Sequence, residues 1–245
     1  MPKSEIKDTI SDSNWSKHIE SLQSVKDVIG TKQNITTALK KSILNGLPNE
    51  PFGILLSGGV DSSIIAKICK DEKASFRCFC VGIEGSEDLK VAKEIARLLE
   101  LKLVFKEFEL DEIEKLLMKI IDILPRPIIQ DDNYIEYMVK VSVSTVLLAA
   151  MSLGDEKIFY SGIGAEELFA GYQRHVKSVS EGGTWRGIAI KELEEESWDG
   201  LKRLNNLVIS RDKLISESVT KEIISPYIDD ELIILAMSLS TDEKI

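Results

Sequence analysis

Apolar and polar positions follow two rhythms along this chain, and the first two-thirds switches between them repeatedly. Residues 33–46 (QNITTALKKSILNG) place apolar side chains at helical spacing and stop at Gly46, which predicts a helix ending there. Pro48 and Pro51 punctuate the chain, and Gly53–Leu56 reads as a short buried strand. A helix follows over 61–71, a strand over Phe76–Val81, and a helix over Asp88–Leu99 with apolar Val91, Ile95, Leu98 and Leu99. Leu101–Phe105 reads as a third strand, 111–124 and 133–152 as helices, and Lys157–Tyr160 as a fourth strand. Strands alternating with helices predict an α/β fold, a parallel sheet flanked by helices on both faces. Beyond residue 185 the spacing is helical throughout, a mostly helical C-terminal part in which Glu194-Glu195-Glu196 reads as a solvated face. Residues 1–30 are polar and read as a loose or peripheral helical extension to a domain over 31–245, with its sheet core at about 50–175 and its helical part at about 185–245.

Composition narrows the function classes. Of 245 residues, 43% are hydrophobic, enough for a real core. The net charge of −10 gives no electrostatic footprint for nucleic acid. Cys69, Cys78 and Cys80 suit a reducing compartment, and Cys78-Phe79-Cys80 has the wrong spacing for a zinc knuckle. It reads instead as two small strand residues facing opposite ways. His18 and His175 lie far apart, which argues against a His-rich metal site. No start resembles a signal peptide, and no apolar run approaches the ~20 residues of a membrane span, so a cytoplasmic protein without membrane contact is expected.

The chemistry concentrates in FGILLSGGVDSSIIAKICK, residues 52–70. A strand ending in a glycine turn that enters a helix aims backbone N–H groups at one point, where the helix dipole adds partial positive charge. Gly58 and Gly59 allow close backbone approach, and Ser57, Ser62 and Ser63 supply short hydroxyls. Asp61 should repel the phosphate such a turn binds, unless a Mg²⁺ ion sits between them, since that ion takes hard oxygen ligands and keeps phosphates as partners. The lysine of the P-loop kinase motif is absent. A second glycine turn lies in IFYSGIGAEELFAGY, residues 158–172, where a parallel strand would deliver it to the ligand crevice of the sheet.

SGGVDSS resembles the pyrophosphate loop of the ATP-pyrophosphatases, in which a substrate oxygen attacks the α-phosphate of ATP and pyrophosphate leaves. Residues 158–172 look like the SG-E-G-[SA]-D-E-L-F-G-G-Y segment of asparagine synthetases, 52–63 like their pyrophosphate loop, and Cys80–Lys90 like their S-V-G-x-E-G-S-x-D-L-x stretch. Ser225–Asp229 is similar to their V-P-F-L-D. The resemblance implies an adenine nucleotide alpha hydrolase-like (PP-loop) fold that uses ATP and Mg²⁺. It implies that Leu56 and Val81 flank the adenine, that Ser161 and Gly162 bind the nucleotide, and that Ser57, Gly58, Gly59, Asp61, Ser62 and Ser63 hold the pyrophosphate. Asp61 and Glu166 are the implied Mg²⁺ ligands, with Glu166 standing where the family has Asp.

The departures shape what is expected of catalysis. Ile163 stands where the family has the glutamate of SGEG, a carboxylate suited to handling protons or ammonia in the second half-reaction. Ala170 replaces a glycine, and Ile224 falls near a family arginine. The family's catalytic lysine lies in a segment beyond Ile245, so no residue here is assigned as catalytic. Lys202-Arg203 and Arg211-Asp212-Lys213 could substitute for such groups but read first as solvated helix ends. The chain begins Met1-Pro2-Lys3, with no cysteine before Cys69 to serve as a glutaminase nucleophile. The expectation is an ATP-dependent amide-forming enzyme that adenylates a carboxylate, with aspartate the first candidate. Ammonia or an amine would come free or from a separate glutaminase subunit, and homo-oligomerisation is left open. The alternatives are a catalytically reduced nucleotide-binding subunit acting through a partner, or amidation of a different carboxylate.

Overall fold

The computed structural model describes residues 11–126, 134–169, 184–185, 188–189, 193–239 and 241–244. The chain divides into two compact units: Leu47–Gly162 with Ile209–Ile224, and Met1–Gly46 with Ile163–Val208 and Ser225–Ile245. The strands described are β1 (Phe52–Leu55), β2 (Phe76–Gly82), β3 (Leu103–Glu107), β4 (Ile158–Tyr160), β5 (Thr184–Trp185), β6 (Ile188–Ala189) and β7 (Glu222–Ile224).

The first unit is the sheet. Its strands run in the order β3-β2-β1-β4-β7, and every neighbouring pair is parallel. Parallel strands need a crossover, and helices α3 (Val60–Asp71), α4 (Glu87–Leu98), α5 (Leu110–Ile123) and α6 (Tyr134–Met151) supply those that join β1 to β2, β3 and β4. The strict period of two along each strand sorts the side chains to two faces. Leu55, Phe79, Val104, Phe159 and Ile223 pack into one cluster with Ile120, Leu124, Val141, Leu147, Leu148 and Met151 from the α5 and α6 segments and Ile215 of a later helix, Ser210–Ser218. Phe52, Ile54, Cys78 and Tyr160 alternate onto the other face, with Phe52 stacked 5.7 Å from Phe76 and tilted 5.0 Å from Tyr160. The α/β class expected from the strand–helix alternation is the one found.

The second unit is mainly helical: α1 (Asp12–Gln23), α2 (Lys32–Asn45), α7 (Ala165–Leu168) and the helices Leu193–Leu204 and Asp230–Met237, with the antiparallel pair β5–β6. The Thr31 hydroxyl accepts from Asn34 N–H while the Asn34 side chain accepts from Thr31 N–H, a reciprocal box that starts α2. In the stretch expected as a loose or peripheral extension, Trp15, Ile19 and Leu22 recur at helical spacing on α1 and are buried, and the Trp15 indole donates to Leu201 C=O at 2.7 Å.

Several expectations change. Strand β7 lies in the C-terminal part that was read as helical throughout; three residues are too few to show a period, and only pairing with β4 makes them a strand. The buried face of α4 is Leu89, Ala92 and Ala96, whereas Val91 and Leu98 are exposed, because small residues let the helix approach the sheet closely. Cys78 and Cys80 share a face rather than opposing one another, since they sit two apart on a strand. Burial pushes their thiols up to about 12 and about 11, so both are poor nucleophiles. Helix α6 is long and apolar enough, by length and composition alone, to cross a membrane, yet Val141, Leu147, Leu148 and Met151 are core residues. Arg211 and Asp212 are not a solvated helix end: both are buried, and the guanidinium donates to the Asp212 carboxylate at 2.6 Å.

Two outcomes follow from this packing. The Phe159 ring lies across Gly53, so that a Cβ there would sit 2.4 Å from Phe159 Cε1. Gly53→Val should cost about 1–3 kcal/mol by overpacking and lower the thermal midpoint, as read by calorimetry. Burial pushes the Asp212 carboxyl up to about 6 despite the neighbouring Arg211. The folded state therefore keeps this proton to higher pH than the unfolded chain, where the value is ~3.9. Its stabilising contribution is complete below that lower value and is lost as pH rises through about 6. Asp212→Asn should gain stability relative to wild type as pH is raised from ~4 to ~7, measured as the difference in denaturation midpoints.

Candidate functional site

The connections reverse direction between β1 and β4. From β1 the chain crosses by α3 to β2 and onward to β3 on one side, while β4 and β7 occupy the other. In open α/β sheets such a switch point opens a crevice at the carboxyl ends of the strands. Strand β1 delivers Leu56 and Ser57-Gly58-Gly59 to that place, and β4 delivers Ser161-Gly162.

The two turns meet backbone to backbone. A Cβ on Gly162 would lie 3.0 Å from Asp61 Cβ and 3.3 Å from Ser62 N, so a side chain there would require its neighbours to give by a few tenths of an ångström. Ser161 is held there by its N–H donating to Ile224 C=O at 2.9 Å, which extends the β4–β7 ladder by one bond. Gly58 adopts φ +80°, and a Cβ there would be 2.8 Å from Ala92 N of α4. Gly59 starts α3 in an extended conformation with no side-chain cap, which leaves the helix entrance to its backbone amides.

Among the serines, Ser57 is exposed, Ser63 half-buried and Ser62 buried. The Ser57 N–H donates to Ser62 Oγ at 3.3 Å, the Gly59 N–H donates to Ser57 Oγ at 3.3 Å, and the Ser63 hydroxyl donates to Gly59 C=O at 2.7 Å. Asp61 is half-buried in the first turn of α3, beside Gly162. Val81 is half-buried at the end of β2. Leu56 is buried, with its N–H donating to Phe79 C=O at 2.9 Å, so its side chain is a core residue in this state.

The structure thus brings together Ser57, Gly58, Gly59, Asp61, Ser62, Ser63, Ser161 and Gly162. Glu166 belongs to the helical unit, exposed in the first turn of α7. There Gly164 takes φ +90°, and the Ser225 hydroxyl donates to the Ile163 carbonyl. Ala170, Gly171, Tyr172 and His175 lie outside the described residues. Two contributors were not anticipated from sequence, Ala92 beneath Gly58 and the Ile224 carbonyl that anchors Ser161. Each acts through backbone, for which no side-chain motif signals.

The donor set suits a magnesium ion. Among the described residues no three His, Cys, Asp or Glu side chains cluster as a metal cage. Mg²⁺ commonly takes only one or two carboxylates and completes its shell with phosphate and water, and Asp61 offers one such carboxylate beside the phosphate-type turn.

Fold and site define a doubly wound parallel α/β domain with its ligand turns at the switch point. A family model for asparagine synthase matches residues 35–212. A Methanocaldococcus jannaschii protein, provisionally described as asparagine synthetase (glutamine-hydrolyzing) 1, is 32% identical over 222 residues, 87% of this chain and 37% of that protein. Asparagine synthetase (glutamine-hydrolyzing) 1 of Arabidopsis thaliana is 30% identical over 224 residues, 86% of this chain and 35% of that protein. Among solved structures, the NMN synthetase from Francisella tularensis aligns with a TM-score of 0.36 at 14% identity, over 76% of this chain and 91% of that one. The chain belongs to the asparagine synthase family. It spans 37% and 35% of the length of these two relatives, the portion that carries the synthetase domain.

Gly58 and Gly85 separate two penalties, since Gly85 has a similar φ of +78° but nothing within 4 Å of an added Cβ. Gly85→Ala should cost about 1 kcal/mol for the backbone alone. Gly58→Ala should cost clearly more, because Ala92 N must move as well, and chemical denaturation of both variants measures the gap.

Proposed function

We propose that this chain catalyses ATP-dependent amide formation as the synthetase part of an asparagine synthetase-like ligase. A carboxylate oxygen, with aspartate as the first candidate, attacks the α-phosphate of ATP, pyrophosphate leaves, and ammonia or an amine then displaces AMP from the acyl adenylate. The observation that carries this reading is the SGGVDSS turn at the switch point, with its α3 amides unclaimed by a side-chain cap and Gly162 packed against Asp61.

The work of the loop is positioning and charge neutralisation. The α3 entrance and Ser57-Gly58-Gly59 hold the leaving pyrophosphate, and its dipole opposes the accumulating negative charge. Ser161 and Gly162 bound the nucleotide on the β4 side, and Val81 with the Leu56 backbone bounds the base. Mg²⁺, held by Asp61, would neutralise phosphate charge when bound. The nitrogen donor is ammonia or an amine, and the reaction belongs in the cytoplasm. Ile163 favours a second reading, a nucleotide-binding subunit whose second half-reaction depends on a partner. Its side chain cannot move a proton, and a positioned acid–base group contributes roughly 10²–10⁴-fold in rate.

Two outcomes test these readings. Asp61→Asn should weaken Mg²⁺-dependent ATP binding by about tenfold, more than the ~0.5 kcal/mol of an ordinary surface change, while leaving metal-free binding little altered. Calorimetric titration with and without Mg²⁺ measures this, and unchanged affinity would remove Asp61 from the metal site. ATP–pyrophosphate exchange across a panel of carboxylic acids should reveal the acid that is adenylated, and exchange with none of them would favour the subunit reading.

A further inference from the structure

Helix α6 is apolar on two sides, and only one of them lies in the core. Val141, Leu148 and Met151 belong to the cluster beneath the sheet. On the other side Ile135, Met138, Val139, Ser142, Val143 and Val146 recur at intervals of three and four residues, which lines them up as one stripe. Its five apolar members keep 44–77% of their surface exposed, and Ser142 is exposed as well. A helix that is apolar all round belongs inside a core, so the outward stripe of α6 is one half of a contact.

We propose that this stripe is a homodimer interface, on which α6 of a second copy packs antiparallel about a twofold axis. The contact is independent of the nucleotide chemistry above.

Charge, spacing and bulk each select a second copy as the occupant. The chain has a net charge of −10, so two copies repel wherever their ordinary surfaces meet. No residue of the stripe is charged, and the neighbouring Glu136 and Lys140 pair with each other at 2.8 Å. Two copies can therefore meet here without setting like charges together, while a charged partner would find nothing to pair with. The spacing reads the same in both directions. With the axis passing beside Lys140 and Val141, Ile135 of one copy meets Val146 of the other, Met138 meets Val143, and Val139 meets Ser142, and every contact is made twice, as a twofold interface requires. The two largest side chains each face a valine, and the central pair is small, which lets the helix axes come close. Ser142 already donates its hydroxyl to Met138 C=O at 2.9 Å, so burying it strands no donor. A standard interface engages about 20–30 residues a side. One helix face and its flanks supply fewer, so the dimer should be weak, with a Kd on the order of 10 µM.

Sedimentation equilibrium of the full chain over ~1 to ~500 µM tests the assignment. The wild-type chain should pass from monomer to dimer across this range. Val139→Glu sets two carboxylates beside the axis and should weaken association at least about tenfold. Its melting temperature in dilute, monomeric solution should match wild type, because the position is exposed and glutamate suits a helix. Ser142→Lys should weaken association likewise, and it carries the comparison alone if Val139→Glu melts early. An equimolar mixture of the two variants should dimerise more than either does by itself, since antiparallel packing sets position 139 of one copy against position 142 of the other. A wild-type chain that stays monomeric throughout, a dimer that both substitutions leave intact, or a mixture no better than its components would overturn the proposal. Binding of a monomeric wild-type chain to phosphatidylcholine vesicles, lost in Val139→Glu, would show that the stripe meets a lipid surface instead and would overturn it as well.

Discussion

The pairing of β1 with β4 is the constraint on which the site depends. The two strands are far apart in sequence and register through Gly53↔Phe159 and Ile54↔Tyr160. That register is permitted because Gly53 leaves room for the Phe159 ring, which in turn meets Phe79 edge-on at 5.2 Å. Once it is set, the residues that follow each strand arrive side by side, and Gly162 comes to rest on Asp61. A side chain at Gly53 would collide with the Phe159 ring, and one at Gly162 would crowd Asp61. The aromatic packing beneath the sheet and the meeting of the two glycine turns at its end are consequences of the same alignment.

The far end of the same strands is pinned by charge. Arg77 at the start of β2 forms a two-pronged ion pair with Glu156, at 2.5 and 2.9 Å, just before β4. Lys221, before β7, donates to the carbonyls of Met151 and Gly154 and lies over the Phe159 ring at 5.0 Å. Burial holds the Lys221 ammonium below its usual range, offset in part by Glu156 and Asp155. These contacts tie β2, β4 and β7 at their amino ends and leave the carboxyl ends to function. An ion pair with one exposed partner, as Arg77 is here, adds modest net stability, because solvent screens it. Its geometry nevertheless favours one strand alignment.

Chemistry at the carboxyl ends relies on backbone more than on titratable groups. The first turn of α3 presents amides that no side chain caps, and Asp61 is the only acid within residues 52–70. This arrangement suits binding and orienting a polyanion that brings its own metal. It offers little for proton transfer, and Ile163 at the mouth of the second turn adds nothing in that respect. On the proposed reading, nucleotide activation and amide formation place different demands on this chain, and the residues of the two turns answer the first more fully.

How much of this was legible beforehand differs by element. SGGVDSS declared its turn and helix because glycines and serines in that order have few other uses at the end of an apolar strand. The α/β alternation declared the sheet because helical and strand periods are local properties of the chain. Strand β7 was not legible, since three residues show no period and become a strand only by pairing with β4. The inward face of α4 was not legible either. Counting large apolar residues pointed to Val91 and Leu98, whereas closeness to the sheet selected Leu89, Ala92 and Ala96. By itself the sequence determined the kind of fold and the identity of the loop, because both rest on local spacing and on the conformational freedom of glycine. Only the tertiary structure decided that Gly162 abuts Asp61 and that Ser62 faces inward while Ser57 faces out. Those facts depend on which distant strands pair, and in what register, and no local pattern in the chain encodes that.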